Sequence, residues 1–280
     1  MGTAKAKKVV KKVATRKSSG KVLLLRTVAK DWKSYGGFLW PHKLGAVVEA
    51  PDWDREPECG HGLHGLRHGE GDSERLDWSK GAHWLVIEAD ARDVVDIKDG
   101  GAKAKCRKCT IVHIGDQKTA TQYLLEHGGY GRAIVGLIAA CGHNERIVGG
   151  DRCHLTGGND ATVTGGDNAT VTGGYGAKGT GGDRAMVTGG NDATVTGGND
   201  ATVTGGDNAT VTGGDRATVT GGDCAKVTGG NHATVTGGND AQLRCEWYDG
   251  KRYRTAVAYV GEGVEAGVTY KVEGGEFVKV

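Results

Sequence analysis

Residues 157–172 read Gly157-Gly158-Asn159-Asp160-Ala161-Thr162-Val163-Thr164-Gly165-Gly166-Asp167-Asn168-Ala169-Thr170-Val171-Thr172, an eight-residue phrase stated twice. From Gly149 the Gly-Gly pair returns every eight residues through Gly237-Gly238, giving twelve units over residues 149–244. A fixed short period marks a solenoid, in which each unit depends on its neighbours for a core. Every unit divides into a turn and a strand. Gly-Gly-Asn/Asp accepts positive φ and local side-chain hydrogen bonds, while Ala-Thr-Val-Thr alternates and is β-branched. The fifth position is Ala in eleven units and the seventh is Val or Leu in eleven, so these two face inward. The sixth position accepts Thr, Lys, Met, His and Gln and faces solvent, and the eighth, nearly always Thr, shares its face.

One octad cannot close a coil, because a strand that goes out must come back. Two octads make the smallest flat coil, with two parallel sheets back to back, and six coils form a rod of about 29 Å at the usual strand spacing. The expected fold is mainly β: a flat parallel β-solenoid of 16-residue coils over residues 141–244. An α+β globular domain over 21–140 precedes it and a small β cap over 245–280 follows it. A thin Ala and Val core leaves much of the stability to the hydrogen-bond ladders, and both ends need covering.

These features resemble the bacterial ice nucleation proteins, which pair octapeptides with a Gly-rich turn, a small inward residue and a Thr-x-Thr strand. The units GGYGAKGT and GGNDATVT carry that pattern, with Ala where the family usually has Ser. Units GGDR at Arg152, Arg184 and Arg216 look like the family's arginine-bearing coils. The segment Trp247-Tyr248-Asp249-Gly250-Lys251-Arg252-Tyr253, then Gly261-Glu262-Gly263-Val264-Glu265-Ala266 and Tyr270, resembles its C-terminal cap. The likeness runs from about Cys141 onward and leaves the N-terminal half aside. The family's long array of water-ordering coils is missing. The resemblance implies a non-enzymatic, ice-nucleation-type rod whose Thr-x-Thr faces order water or bind ice.

Thr162, Thr164, Thr194, Thr196, Thr210 and Thr212 would share one sheet, and Thr170, Thr172, Thr202, Thr204, Thr218, Thr220, Thr234 and Thr236 the other. Lys178 and Lys226 interrupt the first lattice, and His154 and Met186 the second, so the longest clean run of Thr-x-Thr pairs is three coils. The 32-residue spacing of Arg152, Arg184 and Arg216 is two coils and puts all three on one side of the rod. Asp151, Asp167, Asp183 and Asp215 occupy the preceding turn position there, so charges can pair locally or bridge to a second rod. The family's arginine coils imply self-association through these arginines, hence a homo-oligomer.

The remaining chain is read more coarsely. Val22–Leu25, His83–Glu88, Val94–Ile97 and Thr110–Ile114 are expected strands, and Asp116 caps a helix that runs to about Glu126, where Gly128-Gly129 stops it. Cys59, His64, Cys106 and Cys109 carry the side chains of a tetrahedral zinc site, Cys106 and Cys109 as a C-x-x-C pair. His61 and His68 lie in the same Gly-rich stretch, which resembles a motif of uncharacterised phage and prophage domains that precede similar repeats. Two other readings follow: a phage-related structural or interaction protein using the rod as spacer or oligomerisation element, and a zinc-binding or enzymatic N-terminal domain. Against the latter, the chain shows no nucleophile elbow, phosphate loop or dinucleotide fingerprint. No cofactor beyond a structural zinc is expected.

Composition narrows the classes further. The 51 glycines come with 3 prolines, which excludes collagen, and seven scattered cysteines do not suggest a secreted disulfide framework. The eight-residue period excludes the nine-residue calcium-binding roll. The first 20 residues hold Lys5, Lys7, Lys8, Lys11, Lys12, Arg16 and Lys17 without an acid. With a net charge of +2 overall, that leaves −5 for the rest: a basic, disordered, solubilising arm on an acidic body. Nucleic acid or an anionic surface is the weaker reading of that arm. The sequence shows neither a transmembrane run nor a secretory leader pattern.

Overall fold

The computed structural model describes residues 20–98 and 103–280; the basic arm at residues 1–19 lies outside the described residues. Every octad forms the expected strand, from His154–Gly157 through Gln242–Tyr248. Neighbours in a sheet are sixteen residues apart and parallel, so Thr194 pairs with Thr210, Val195 with Val211 and Thr196 with Thr212. Odd and even octads feed two different sheets, one of nine strands and one of eight. The seventh-position valines and fifth-position alanines are buried between them, and the sixth and eighth positions point outward. The rod is a two-octad coil stacked in register.

The glycine doublets do a different job from the one expected of them. Positive φ falls on the fourth residue of each unit, for example Arg184 at 56°, Asp192 at 58° and Asn208 at 58°, and on Gly176 where that residue is glycine. The doublet glycines avoid collisions instead. A Cβ on Gly213 would sit 2.6 Å from both Ala217 Cβ and Val219 Cγ2, inside the core. On Gly214 it would sit 2.6 Å from Asn199 Oδ1 and 2.9 Å from the backbone of the coil below. The first glycine keeps the core closed and the second lets coils approach to hydrogen-bonding distance.

Those corners are stitched as tightly as the strands. The third residue of nearly every octad is Asp or Asn, and its Oδ1 accepts the backbone N–H of the third residue one coil further on. Along one corner Asp151 accepts from Asp167 at 2.9 Å, Asp167 from Asp183 at 2.9 Å and Asp183 from Asn199 at 2.7 Å. Asn199 then accepts from Asp215 and Asp215 from Asn231, each at 2.9 Å. The other corner has the same ladder from Asn159 to Asn239, and Tyr175, which has no Oδ1, leaves its one missing rung at Asn191. Corner amides that would otherwise be orphaned are thereby satisfied.

The solenoid begins before its first Gly-Gly. Strands Ile138–Cys141 and Arg146–Val148 pair in parallel with the first two repeat strands, and Gly136 and Asn144 hold the positive φ of the turn positions. This coil carries no glycine doublet, so the octad pattern does not reveal it.

The N-terminal unit is a seven-stranded antiparallel sheet. Its strands are β1 (Lys21–Val28), β2 (Val47–Glu49), β3 (Leu63–Arg67), β4 (His83–Asp90), β5 (Val94–Asp96), β6 (Lys103–Cys106) and β7 (Lys108–Gly115), in the order β2-β7-β4-β1-β3-β6-β5. Only Arg107 separates β6 from β7, yet three strands lie between them in the sheet. The sheet must therefore curl into a half-barrel, which closes around Leu24, Trp40, Leu85, Ile87 and Ile111. Buried Arg26 lies in this core, its guanidinium 3.8 Å over the Trp40 ring and donating to the His64 carbonyl at 3.1 Å. Burial draws its pKa down to about 10.

Helix α1 (Gln117–Leu124) opens on a capping box between Asp116 and Thr119, as the sequence predicts, and unwinds before Gly128, at φ 105°. It buries Ala120 and Leu124 against the first coil, so one apolar core runs from Leu25 and Trp84 through the alanines and valines to Tyr270. At the far end two antiparallel hairpins extend the two sheets: Gln242–Tyr248 with Tyr253–Tyr259, and Thr269–Glu273 with Glu276–Lys279. Val260, Val264 and Tyr270 close the core beneath them. No helix among the described residues is long and apolar enough to cross a membrane.

The corner geometry predicts that Gly214→Ala destabilises the rod by ~1–3 kcal/mol, the usual cost of overpacking. Thermal or urea unfolding followed by circular dichroism measures it; an unchanged midpoint would contradict the steric account of the second glycine.

Candidate water-facing and charged sites

Two outward sheet faces carry the hydroxyls. On the nine-stranded sheet, Thr202, Thr218 and Thr234 stand in one column and Thr204, Thr220 and Thr236 in the next, paired residue for residue. Thr234 and Thr218 are close enough for their hydroxyls to meet at 3.4 Å. Thr170 and Thr172 lie on the same face, separated from that block by Met186, which is 55% exposed. His154 precedes them. On the eight-stranded sheet Thr162, Thr164, Thr194, Thr196, Thr210 and Thr212 share a face that Lys178 and Lys226 interrupt.

The eighth-position column is longer than the Thr-x-Thr pairs suggest. Thr156, Thr172, Thr188, Thr204, Thr220 and Thr236 follow one another without a break. Thr164, Thr180, Thr196, Thr212 and Thr228 do the same on the other sheet. The near-invariant threonine at the eighth position carries the signal for these columns in the sequence. Parallel strands fix the repeat along each column at ~4.8 Å, and residues two apart on a strand at ~6.6–7 Å. β-Branching restricts each χ1, so the lattice has little rotamer freedom left to lose.

The three arginines occupy the fourth, positive-φ position of their corner. Arg216 forms a two-point ion pair with Asp200 of the preceding coil, Nε to Oδ1 and Nη2 to Oδ2, both at 2.8 Å. That contact lowers the Asp200 pKa and raises that of Arg216. Arg184 Nε donates to Asn168 at 3.2 Å. Arg152 reaches instead to Glu74 at 2.5 Å and lies over the Trp78 ring, tying the first octad to the N-terminal unit. Asp151, Asp167, Asp183 and Asp215 spend one carboxylate oxygen on the corner ladder, a bond that the charge pattern alone did not disclose.

Of the residues with zinc-binding side chains, the structure brings two together. Cys106 and Cys109 are buried in the half-barrel core with their thiols hydrogen-bonded, a contact that, with burial, raises the Cys109 pKa. Register pairs Leu63 with Cys106 and His64 with Lys105, so strand alternation sends His64 to the opposite face from Cys106. Cys59 is exposed and accepts from Lys103 at 3.1 Å. Burial, reinforced by Lys103, Arg26 and Lys105, draws the His64 pKa down to about 4. Among the described residues no three His, Cys, Asp or Glu side chains gather as a metal site.

Residues 22–123, most of the N-terminal unit, match a family described as a domain of unknown function, DUF7666. The ice nucleation protein InaU of Pantoea ananas is 35% identical over 107 residues, which cover 38% of this chain and 10% of that protein. An ice nucleation protein of Pseudomonas syringae is 38% identical over 104 residues, 37% of this chain and 9% of its own length. One from Enterobacter agglomerans is 35% identical over 107 residues, 38% of this chain and 8% of its own. Part of this chain is similar to ice nucleation proteins. The chain spans about a tenth of the length of these relatives. No solved structure matches.

Proposed function

We propose that the solenoid is a non-enzymatic, ice-nucleation-type element that orders water on its threonine faces and associates with further copies of itself. The observation that carries this reading is the in-register columns of threonines on two parallel sheets, in a chain part of which is similar to ice nucleation proteins. A rigid array of hydroxyls and methyls at fixed spacing can hold neighbouring waters in fixed positions. The best face is the block Thr202, Thr204, Thr218, Thr220, Thr234 and Thr236, where no other side chain intervenes. A block of this size is small, so assembly of several rods is the route to a larger ordered patch.

Assembly is assigned to the arginine corner. Arg184 and Arg216 are exposed there, while Arg152 is engaged within the chain by Glu74. Exposed ion pairs such as Arg216–Asp200 stabilise a fold little, so their charges can be shared with a second rod at small cost.

Replacing Thr202, Thr218 and Thr234 together with Glu should lower the droplet-freezing temperature of the intact protein toward that of buffer and abolish ice shaping. Freezing and crystal habit unchanged from the parent would defeat the water-ordering reading. Independently, changing Arg184 and Arg216 to Ala should reduce the mass measured by light scattering to that of one chain. A mass that does not move would remove the arginines from the assembly.

A further inference from the structure

A second charged feature lies away from the threonine faces, where the N-terminal sheet meets the solenoid. Arg67 at the end of β3, His68 and Glu70 in the turn after it, Asp96 at the end of β5 and Arg132 ahead of the first coil line an open cleft of about 390 Å³. That volume is within the ~300–1,000 Å³ range of small-molecule sites. Two of the lining carboxylates hold the guanidiniums. Arg67 Nη1 donates to both Asp96 oxygens, at 2.9 and 2.7 Å, and Arg132 Nη1 donates to Glu70 Oε2 at 2.7 Å. Glu70 is itself anchored by the Ala133 N–H at 3.3 Å. Each pair occupies Nη1 of its arginine, which leaves Nε and Nη2 as donors for another acceptor.

Between the arginines stands His68, with φ at 55° and its backbone N–H fixed to the Leu23 carbonyl at 2.8 Å. Burial lowers its pKa, and Arg132 and Arg67 lower it further against the raising effect of Glu70 and Asp96. The four formal charges cancel in number, so what the cleft offers an anion is the N–H donors that the two guanidiniums keep outside their ion pairs.

We propose that this cleft binds a phosphate-bearing small molecule, with Arg67 and Arg132 gripping the phosphate oxygens from two sides. Two oriented guanidinium forks and a neighbouring imidazole supply donors for the terminal oxygens of a phosphate monoester, a group that planar guanidinium donors match in geometry. All of its lining residues except Arg132 lie in the stretch that matches a domain of unknown function, and nothing in the water-ordering role uses the cleft.

The test uses the intact chain with inorganic phosphate and pyrophosphate as probes, titrated to millimolar concentration against sodium chloride of equal ionic strength. The readout is the NMR shift of the His68 ring. The expected result is a saturable shift absent from the chloride titration, with an affinity ~10-fold or more weaker in Arg67→Gln, the usual effect of losing a charge-assisted bond. A shift no larger than that of chloride, or equal affinity in Arg67→Gln, would overturn the proposal. Should Arg67→Gln disturb the spectrum of the whole N-terminal unit, Asp96→Asn decides. It keeps both arginines and removes one opposing charge, so tighter binding supports the site and loss of binding contradicts it.

Discussion

Everything in the rod depends on how closely one coil lies upon the next. Parallel strands share hydrogen bonds only at about 4.8 Å, and here that spacing is kept around the corners as well as along the faces. At a corner the backbone of Gly214 lies against the backbone and side-chain oxygen of Asn199, with no room for a β-carbon. The adjacent Gly213 has Ala217 and Val219 in the place its own side chain would take. The glycine doublet is therefore a spacing device, and the positive φ needed to turn the chain is delegated to Asp, Asn, Arg, Cys or His two or three residues later. Asn and Asp tolerate that conformation best, and Arg184 and Arg216 are held in it by the coils on either side.

Close stacking has a second consequence. Each corner must satisfy an amide that strand geometry leaves pointing along the rod, and the Asp and Asn oxygens do so from one coil to the next. The acidic residues in the repeat are thus part of the ladder as well as a soluble surface. A column of ladders cannot stop in water without exposing its edges, so both ends are built differently from the middle. At one end a helix and a glycine-poor coil cover the core, and at the other the last strands turn antiparallel above Val260, Val264 and Tyr270. The same in-register stacking aligns the threonines. In-register columns of hydroxyls follow from that stacking.

The sequence was most legible where the repeat was strictest. A period of eight with Ala at the fifth position and Val at the seventh set the coil size, the inward face and the outward threonines, and the structure agrees at each of these points. Asp116 likewise announced its helix, because a cap and a glycine stop are local signals. The expected start at residue 141 takes in Arg146–Val148 but misses most of Ile138–Cys141, since the shape of this opening coil is imposed by the octads above it and its residues lack their pattern. A glycine doublet before Asn or Asp also fits a flexible turn, so the sequence alone suggests a turning role; only the neighbouring coil shows the missing space. In the N-terminal unit, the C-x-x-C spacing brought Cys106 and Cys109 together, but the partners of such a pair are set by strand register, and register sends His64 to the other face. The cleft of Arg67, His68 and Arg132 joins residues more than sixty positions apart and has no local signature.

The central claim is that residues sixteen apart are neighbours and residues eight apart lie on opposite sheets. Paired cysteines test it directly. Thr194→Cys with Thr210→Cys places two thiols on adjacent strands, whose ~4.8 Å Cα separation is within the ~4.4–6.8 Å span of a disulfide. Thr194→Cys with Thr202→Cys places them on opposite faces of the rod. Mild oxidation followed by mass spectrometry of the peptides should show the first pair joined and the second pair free. Crosslinking of the eight-residue pair as readily as the sixteen-residue pair would contradict the two-octad coil and, with it, the threonine faces built upon it.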